Sequence, residues 1–519
     1  MELLYVSSRS ASILLDPEGL YEAREKRTLC LNSEELGEEY RSVTSLFDLE
    51  PDTAYTLEAW TDDGRTELLS FRTKSETCAL NVKAFGAKGD GETEDTAMIQ
   101  AAILCCPDGG TVRIPPGDYV TGPLFLKSHI TLEIMDGAAL RLLTDRTRFP
   151  VLPGETPADN EQGEVLLGMF EGCRTDGFTA ALNGIDLTDT AVIGEGVIDG
   201  RANEGDWWIN PKVQRIACRG NLLYTQRCRG ITIQGVTFMN SPSWNIHPAF
   251  SEDLDFIDIK VRAPWDSPNT DGFDPESCRR VRLLGAEISV GDDCIAIKSG
   301  KIDLGRKYRT PCEDIEIGWC ALLDGHGGVT IGSEMAGGVR RVNAHHCFMK
   351  GNDRALRIKT RRGRGKDGVV DGIRFRDVRM EDVKTPLVVN SFYFCDADGK
   401  SERVQSRDQQ PVDETTPEIG TVCFERVTAV GCKTCAAYVM GLPEKPMREL
   451  ILRDSLFSFD PEAEPMVPAM ALGVEACCRR GIIAKYLEKL TVLNVRLDGF
   501  DGDPLETAEV QKIVTDPEE

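Results

Sequence analysis

The chain has 519 residues, 41% hydrophobic and 28% charged, with a formal net charge of -25. That acidity disfavours nucleic acid and anionic membrane surfaces as partners, and no apolar run approaches the roughly 20 residues of a membrane span. The length exceeds one ordinary core, so two domains or a domain that grows by repetition are expected.

The opening residues, Met1 to Arg9, lack the basic stretch, apolar core and small-residue cleavage site of a secretory leader. A cytoplasmic protein is expected, or a secreted one if a leader has been removed. The 18 cysteines sit often in apolar stretches, as Cys294, Cys320 and Cys423 do, which suits buried thiols in a reducing compartment. Cys432-x-x-Cys435 has no second ligand pair at zinc spacing, so no metal site and no cofactor are expected.

Residues 1–75 read as short alternating strands. Leu49 to Tyr55, Thr56 to Trp60, the Asp63-Gly64 turn and Leu68 to Thr73 predict two paired strands with a corner tyrosine, and resemble the end of a fibronectin type III module. A spacer or packing role is the favoured reading of this β-sandwich. From about residue 76 the pattern changes. Val82 to Gly91 leads into a polar cap at Thr93 to Thr96, and Met98, Ile99, Ala102 and Ile103 at helical spacing predict a helix over about 95–104. The glycines around Asp90 lack the lysine and spacing of a phosphate loop.

Beyond that helix one short phrase recurs to the C-terminus: a few alternating β-branched or leucine residues, then a Gly, Asn or Asp turn. Ile231 to Ile233, Leu254 to Ile259, Val281 to Leu283, Ile315 to Ile317, Val339 to Val342, Ile373 to Phe375, Val422 to Phe424 and Leu490 to Val492 mark successive rungs. A step of roughly 22 to 27 residues is the period of a β-solenoid. A β-sandwich would not need so many strands at one coil length, and a doubly wound sheet would need helices that are missing after the first. The expected fold is all-β: a parallel β-helix over 76–519, with the helix capping its first coil.

The chemistry concentrates between Asn269 and Lys359. Asn269-Thr270-Asp271, Gly291-Asp292-Asp293, Gly325-His326-Gly327 and Arg357-Ile358-Lys359 follow one another at coil-like spacing, so stacking would gather three acids, a histidine and two cations on one cleft floor. Glycoside hydrolysis needs one protonated carboxyl and one ionised carboxylate, and crowded acids push one pKa up. Singly, each motif has an ordinary reading: Asn and Asp cap β-helix turns, and an Arg-x-Lys pair is usually a solvated strand face. From Lys350 to Lys366 eight cations face a single acid, Asp353, which reads either as a solvated loop or as a local attraction for an acidic sugar.

The four motifs, in this order and spacing, resemble the signatures of the polygalacturonase family of inverting glycoside hydrolases. The resemblance spans about 80–500 and includes Ala87 to Gly91, Gly194 to Gly200 and Trp207-Trp208. It implies a right-handed parallel β-helix that cleaves α-1,4-galacturonosidic bonds of pectin-derived (oligo)galacturonate. By that resemblance Asp292 is the general acid, Asp271 and Asp293 hold and activate water, and His326 tunes the acid pair by hydrogen bonding. Arg357 and Lys359 would grip the substrate carboxylate. Asn269 would orient Asp271, bind sugar or cap a turn, and Tyr393 would stack on substrate or fill the core. His247 is a further residue that could line the groove.

Exo action from the non-reducing end is favoured over endo cutting, with rhamnogalacturonan or xylogalacturonan hydrolysis as the other alternative, disfavoured because Arg357 and Lys359 suit a uronate at the cleavage site. The stretches at about 145–185 and 396–418 lack the rung pattern and could wall off one end of the cleft. A polysaccharide lyase and a non-catalytic pectin-binding solenoid are the rivals from other classes. Oligomeric state is left open.

Overall fold

A computed structural model describes residues 1–517. At the N-terminus, Glu2–Val6, Ala11–Leu14 and Val43–Leu46 form one antiparallel sheet, and Glu34–Arg41, Glu22–Leu31, Ala54–Trp60 and Thr66–Arg72 form another in that spatial order. Alternation sends Ile13, Leu29, Leu57 and Phe71 into the space between them. Tyr55 serves as the corner tyrosine: its hydroxyl accepts the Glu50 N–H at 2.8 Å.

From Ala79 onward the chain winds as a parallel β-helix. Ala79–Asn81 already pairs in parallel with the next coil at Thr111 to Arg113, and the last strand, Leu505–Thr515, pairs in parallel with Arg480–Asp498. The predicted rungs fall into one register column. Ile231 lies beside Leu254, then Val281, Ile315, Val342, Ile373, Val422, Leu450 and Leu490. All are buried. Each inward side chain is covered by its equivalents on the neighbouring coils, so three or four apolar residues per strand suffice for a continuous core.

The capping helix spans Thr96–Cys105 and lays Ile99, Ala102 and Ile103 over the first coil. Its polar N-terminus works differently from the expectation. Asp95 does not cap the helix with its side chain; the carboxylate accepts the Lys88 and Gly89 N–H groups at 2.7 and 2.8 Å instead. Among the described residues there are two more short α-helices, Ile302–Tyr308 and Glu402–Gln405. Both sit in the connections between coils, where no long apolar periodicity marks them.

Four irregular segments interrupt the winding, at 143–181, 200–222, 391–417 and 460–479. The first holds three two-residue ribbons, Val151–Leu152 with Gly177–Phe178, Thr156–Pro157 with Glu164–Val165, and Met169–Phe170 with Cys173–Arg174. All 18 cysteines are unpaired.

The N-terminal sheets dock on the outer side of the solenoid. Leu14 and Val43 pack on Ile257, Leu284 and Trp319, and Arg41 bonds Asp258 at 2.5 Å. Gly235 makes this approach possible: a Cβ there would stand 2.3 Å from the Phe47 ring. A cavity of about 1000 Å³ lies along the seam. Its arginines are spent on its own acids, as Arg280–Asp253, Arg282–Asp255 and Arg341–Asp314 pairs, and none of the four motifs reaches it.

Candidate active site

Stacking converts motif order into spatial order. Phe273 bridges Ile295, which sets Asp271 abreast of Asp293 on the next coil. Asp293 then pairs with Gly327, beside His326, and Thr330 pairs with Arg357 one coil further. Lys359 in turn pairs with Asn390, just ahead of Tyr393. Gly327 leaves room for the acid: a Cβ there would lie 2.4 Å from Asp293 Oδ1. Asn269 takes a left-handed φ of 54° in its turn, a conformation Asn tolerates better than most residues.

Carboxylate oxygens of Asp271, Asp292 and Asp293 lie within 4.8 Å of one another. Arg357 and Lys359 point to the same face, as alternation predicts, and both reach Asp293: Lys359 Nζ donates to Oδ2 at 2.7 Å and Arg357 to Oδ1 at 3.3 Å. Burial alone would push Asp293 up, but Lys359 and Arg357 outweigh it and hold this carboxyl far below the usual carboxylate range. Asp292 is shifted the other way, first by burial and then by the charge on Asp293. Asp271 is also pushed well up, by burial and by Asp292. The trio therefore contains one firmly ionised carboxylate and two that retain protons more readily. That is the charge pattern acid–base chemistry requires.

Lys298 holds a second layer beneath the acids. Its ammonium lies 3.7 Å from Asp271, 3.4 Å from Asp274 and 3.5 Å from Glu334, and 4.3 Å over the Trp244 ring. Glu334 is pulled down to about 2: burial opposes this, and Lys298 and Arg364 overcome it. A trio of acids this close is able to hold a cation, but here Lys359 and Lys298 already face it.

His326 departs from the expectation. Its side chain is 56% exposed, and its Nδ1 bonds Asp353 Oδ2 at 2.9 Å. No hydrogen bond joins the ring to the three acids among the described residues. That bond to Asp353 raises the imidazole pKa, and the ring acts on Asp292 through charge alone. Asp353 is itself gripped by Lys384 and Arg354.

A cavity of about 610 Å³ opens over this floor. Asn269, the three acids, Lys359 and Tyr393 line it, together with Trp244, Lys298, Arg219 and Glu334. Tyr393 is not a core aromatic; its ring faces both Arg357 and Lys359 at 5.5 Å, and the core position falls to Phe392. His247 does not line the cavity. It is 1% exposed, bonded to Glu276 at 2.9 Å, with Trp244 edge-on between it and the cleft side.

The walls come from the irregular segments. Phe170 stacks on Trp244 at 6.1 Å, and Arg146 and Arg215 both bind Asp206 to pin the stretch 206–219. Opposite, Arg361 and Arg364 bind Asp396, and Arg362 binds Glu444. The basic run is thus neither a solvated loop nor a free attraction for substrate in these three residues. Acids distant in sequence neutralise them to fasten the wall.

Sequence reasoning missed Lys298, Trp244, Arg219 and Glu334. Lys298 carried a usable signal: Ala296 and Lys298 alternate with the core residues Ile295 and Ile297, as Arg357 and Lys359 do around Ile358. Arg219 and Glu334 lie in turns, where no period marks a direction.

Residues 164–414 match Glycosyl hydrolases family 28, and residues 79–137 match Rhamnogalacturonase A/epimerase, pectate lyase-like. A probable polygalacturonase of Vitis vinifera is 29% identical over 82% of this chain and 84% of its own length. An endo-polygalacturonase of Pectobacterium parmentieri is 30% identical over 65% of this chain and 80% of its own. Among solved structures, the family 28 exopolygalacturonase of Yersinia enterocolitica superposes with a TM-score of 0.70 at 17% identity, covering 99% of this chain and 98% of the other. The hyperthermoactive exopolygalacturonase of Thermotoga maritima gives 0.63 at 26% identity, covering 81% and 92%. With the parallel β-helix, the acid trio and these relatives together, the chain belongs to glycosyl hydrolases family 28 and is a glycoside hydrolase.

Proposed function

We propose that the protein hydrolyses α-1,4-galacturonosidic bonds of oligogalacturonates and releases short products from the non-reducing end. The observation that carries this reading is the split in charge state: Asp293 is held ionised by Lys359 and Arg357 while Asp292 beside it is pushed toward protonation. Asp292 donates the proton to the leaving oxygen. Asp293 takes a proton from water, with Asp271 sharing in its placement. A uronate also supplies the anion that a cleft bearing Lys359 and Lys298 attracts.

Exo action is supported by the irregular segments on the side of the coils before Asn269, from which Phe170, Glu171 and residues of the stretch 211–219 line the cavity as a wall. Named relatives include both endo- and exo-acting enzymes, so the wall is the argument here. Residues 1–75 are read as a packing module, and the free thiols suit a reducing compartment in which substrates are oligomers.

Inversion of configuration rests on the resemblance to the family. The nearest oxygens, within 4.8 Å, are closer than the roughly 6.5 to 9.5 Å usual for inverting pairs. Chromatography of early products from trigalacturonate and a longer oligomer tests bond position, and proton NMR of the fresh anomer tests stereochemistry. Products of mixed length from the outset would remove exo action, and an unsaturated uronate absorbing ultraviolet light would replace hydrolysis with elimination.

A further inference from the structure

We propose that Arg219 is a second carboxylate-binding group of this cleft, taking the uronate on the N-terminal side of the acids while Lys359 takes the one on the C-terminal side. This rests on the galacturonide reading above and names the group that reads the donor ring, the ring whose anomeric carbon is attacked.

Arg219 is anomalous in its charge balance. Nine lysines and arginines are buried among the described residues: Arg27, Arg146, Arg219, Lys298, Arg357, Lys359, Arg361, Arg362 and Arg364. Eight of them have a carboxylate partner. Arg219 is the exception. Its NH1 donates to the Pro242 and Pro268 carbonyls at 2.7 and 2.9 Å, and its NH2 to Asn269 Oδ1 at 2.8 Å. All three acceptors are neutral, and Nε is buried with no partner at all.

Its side chain is 7% exposed and lines the cavity beside Asn269 and Asp271. Burial draws its pKa down to about 10, so the guanidinium remains charged at neutral pH. Glu171 and Asp271, which line the same cavity, act on it only through space; a buried charge without a bonded counterion is costly, and such perturbed groups cluster at functional sites. One NH2 hydrogen and the buried Nε–H have no acceptor, and a guanidinium with unused donors suits a planar carboxylate.

Position points to the donor ring. Leu223 lies beside Ile246, Phe273 and Ile295 in successive coils, so the turn carrying Arg219 enters two coils before the Asn269 turn. Lys359 stands two coils after Asp293. At about 4.8 Å per strand, cations flank the acids on both sides along the axis. An oligouronate laid along that axis presents a carboxylate on every ring, and residues of the stretch 211–219 with Phe170 line the cavity on the Arg219 side.

The test compares kcat/KM for digalacturonate with two analogues, each with one carboxyl reduced to hydroxymethyl, in the donor ring or in the ring across the scissile bond. In the unmutated protein, reduction of the donor ring is expected to cost about 10- to 100-fold. In Arg219→Gln that penalty should fall toward onefold while the penalty for the other ring persists; Arg219→Lys should restore part of it, and Lys359→Gln should show the converse pattern. An undiminished donor-ring penalty in Arg219→Gln, with turnover lowered equally for all substrates, would overturn the inference and leave Arg219 as a support for Asn269. Should Arg219→Gln fail to fold, a crystal structure of Asp292→Asn with trigalacturonate decides: a donor-ring carboxylate on the Arg219 guanidinium supports the assignment, and one turned to another cation or to solvent ends it. A folded, unmutated protein that cleaves none of these sugars sinks the galacturonide reading itself, and this inference with it.

Discussion

The Lys359 ammonium donates to Asp293 at 2.7 Å, and that single contact assigns different chemistry to two aspartates adjacent in sequence. Asp293 is kept ionised, and its charge then helps keep a proton on Asp292.

Asp292→Asn removes the proton donor without changing the shape of the cleft. Turnover of oligogalacturonate should fall by about 10² to 10⁴, the usual worth of a general acid. Reducing-sugar release measures the loss, and an unchanged circular dichroism spectrum shows that the fold persists. Near-normal turnover would remove the acid assignment.

Lys359→Ala should act on both binding and pH dependence. KM for acidic sugars rises because a cation facing the cavity is lost. Asp293 also loses the largest influence holding it down, so its ionised form appears only at higher pH and the acid limb of the kcat/KM profile moves upward. A rise in KM with an unmoved acid limb would mean that Arg357 alone controls Asp293.

Asp353→Asn should lower the His326 pKa, because the hydrogen bond that the ring donates to Asp353 is the main cause of its elevation. A neutral imidazole no longer draws Asp292 down, so the proton on Asp292 persists to higher pH and the alkaline limb moves up. NMR titration of the His326 ring protons and the pH–rate profile check the two steps separately.

Lys298→Met strands Asp271, Asp274 and Glu334 together in a buried site and should destabilise the protein by about 3 to 5 kcal/mol in urea unfolding. The pH dependence has a definite sign. Glu334 is held near 2 in the folded protein against its ordinary 4.5, so its contribution is complete above pH 4.5 and is lost as pH falls toward 2. The melting-temperature gap between the unmutated protein and Glu334→Gln should be widest near neutrality and close in acid.

Much of this molecule was legible because its fold is periodic. Ile231, Leu254 and Val281 announce a core column by alternation alone, and the same regularity places Asp271, Asp293 and Arg357 within four successive coils. Departures occur where partners come from outside the period. Arg362 meets Glu444, 82 residues away, and no pattern around Arg361, Arg362 and Arg364 reveals that their charges are already used. His326 likewise bonds Asp353 from the next coil instead of the acids beside it, and its ring stays largely exposed.

By itself the amino-acid order determined the winding, the capped first coil and the gathering of three acids with two cations, since strand alternation and coil length are local properties of the chain. Only the folded molecule decided how the charges divide, which aspartate is ionised, and that Arg219 alone among the buried cations of the described residues has no salt bridge. Those depend on burial and on distances between segments far apart in the chain, and electrostatics in a buried site responds to both.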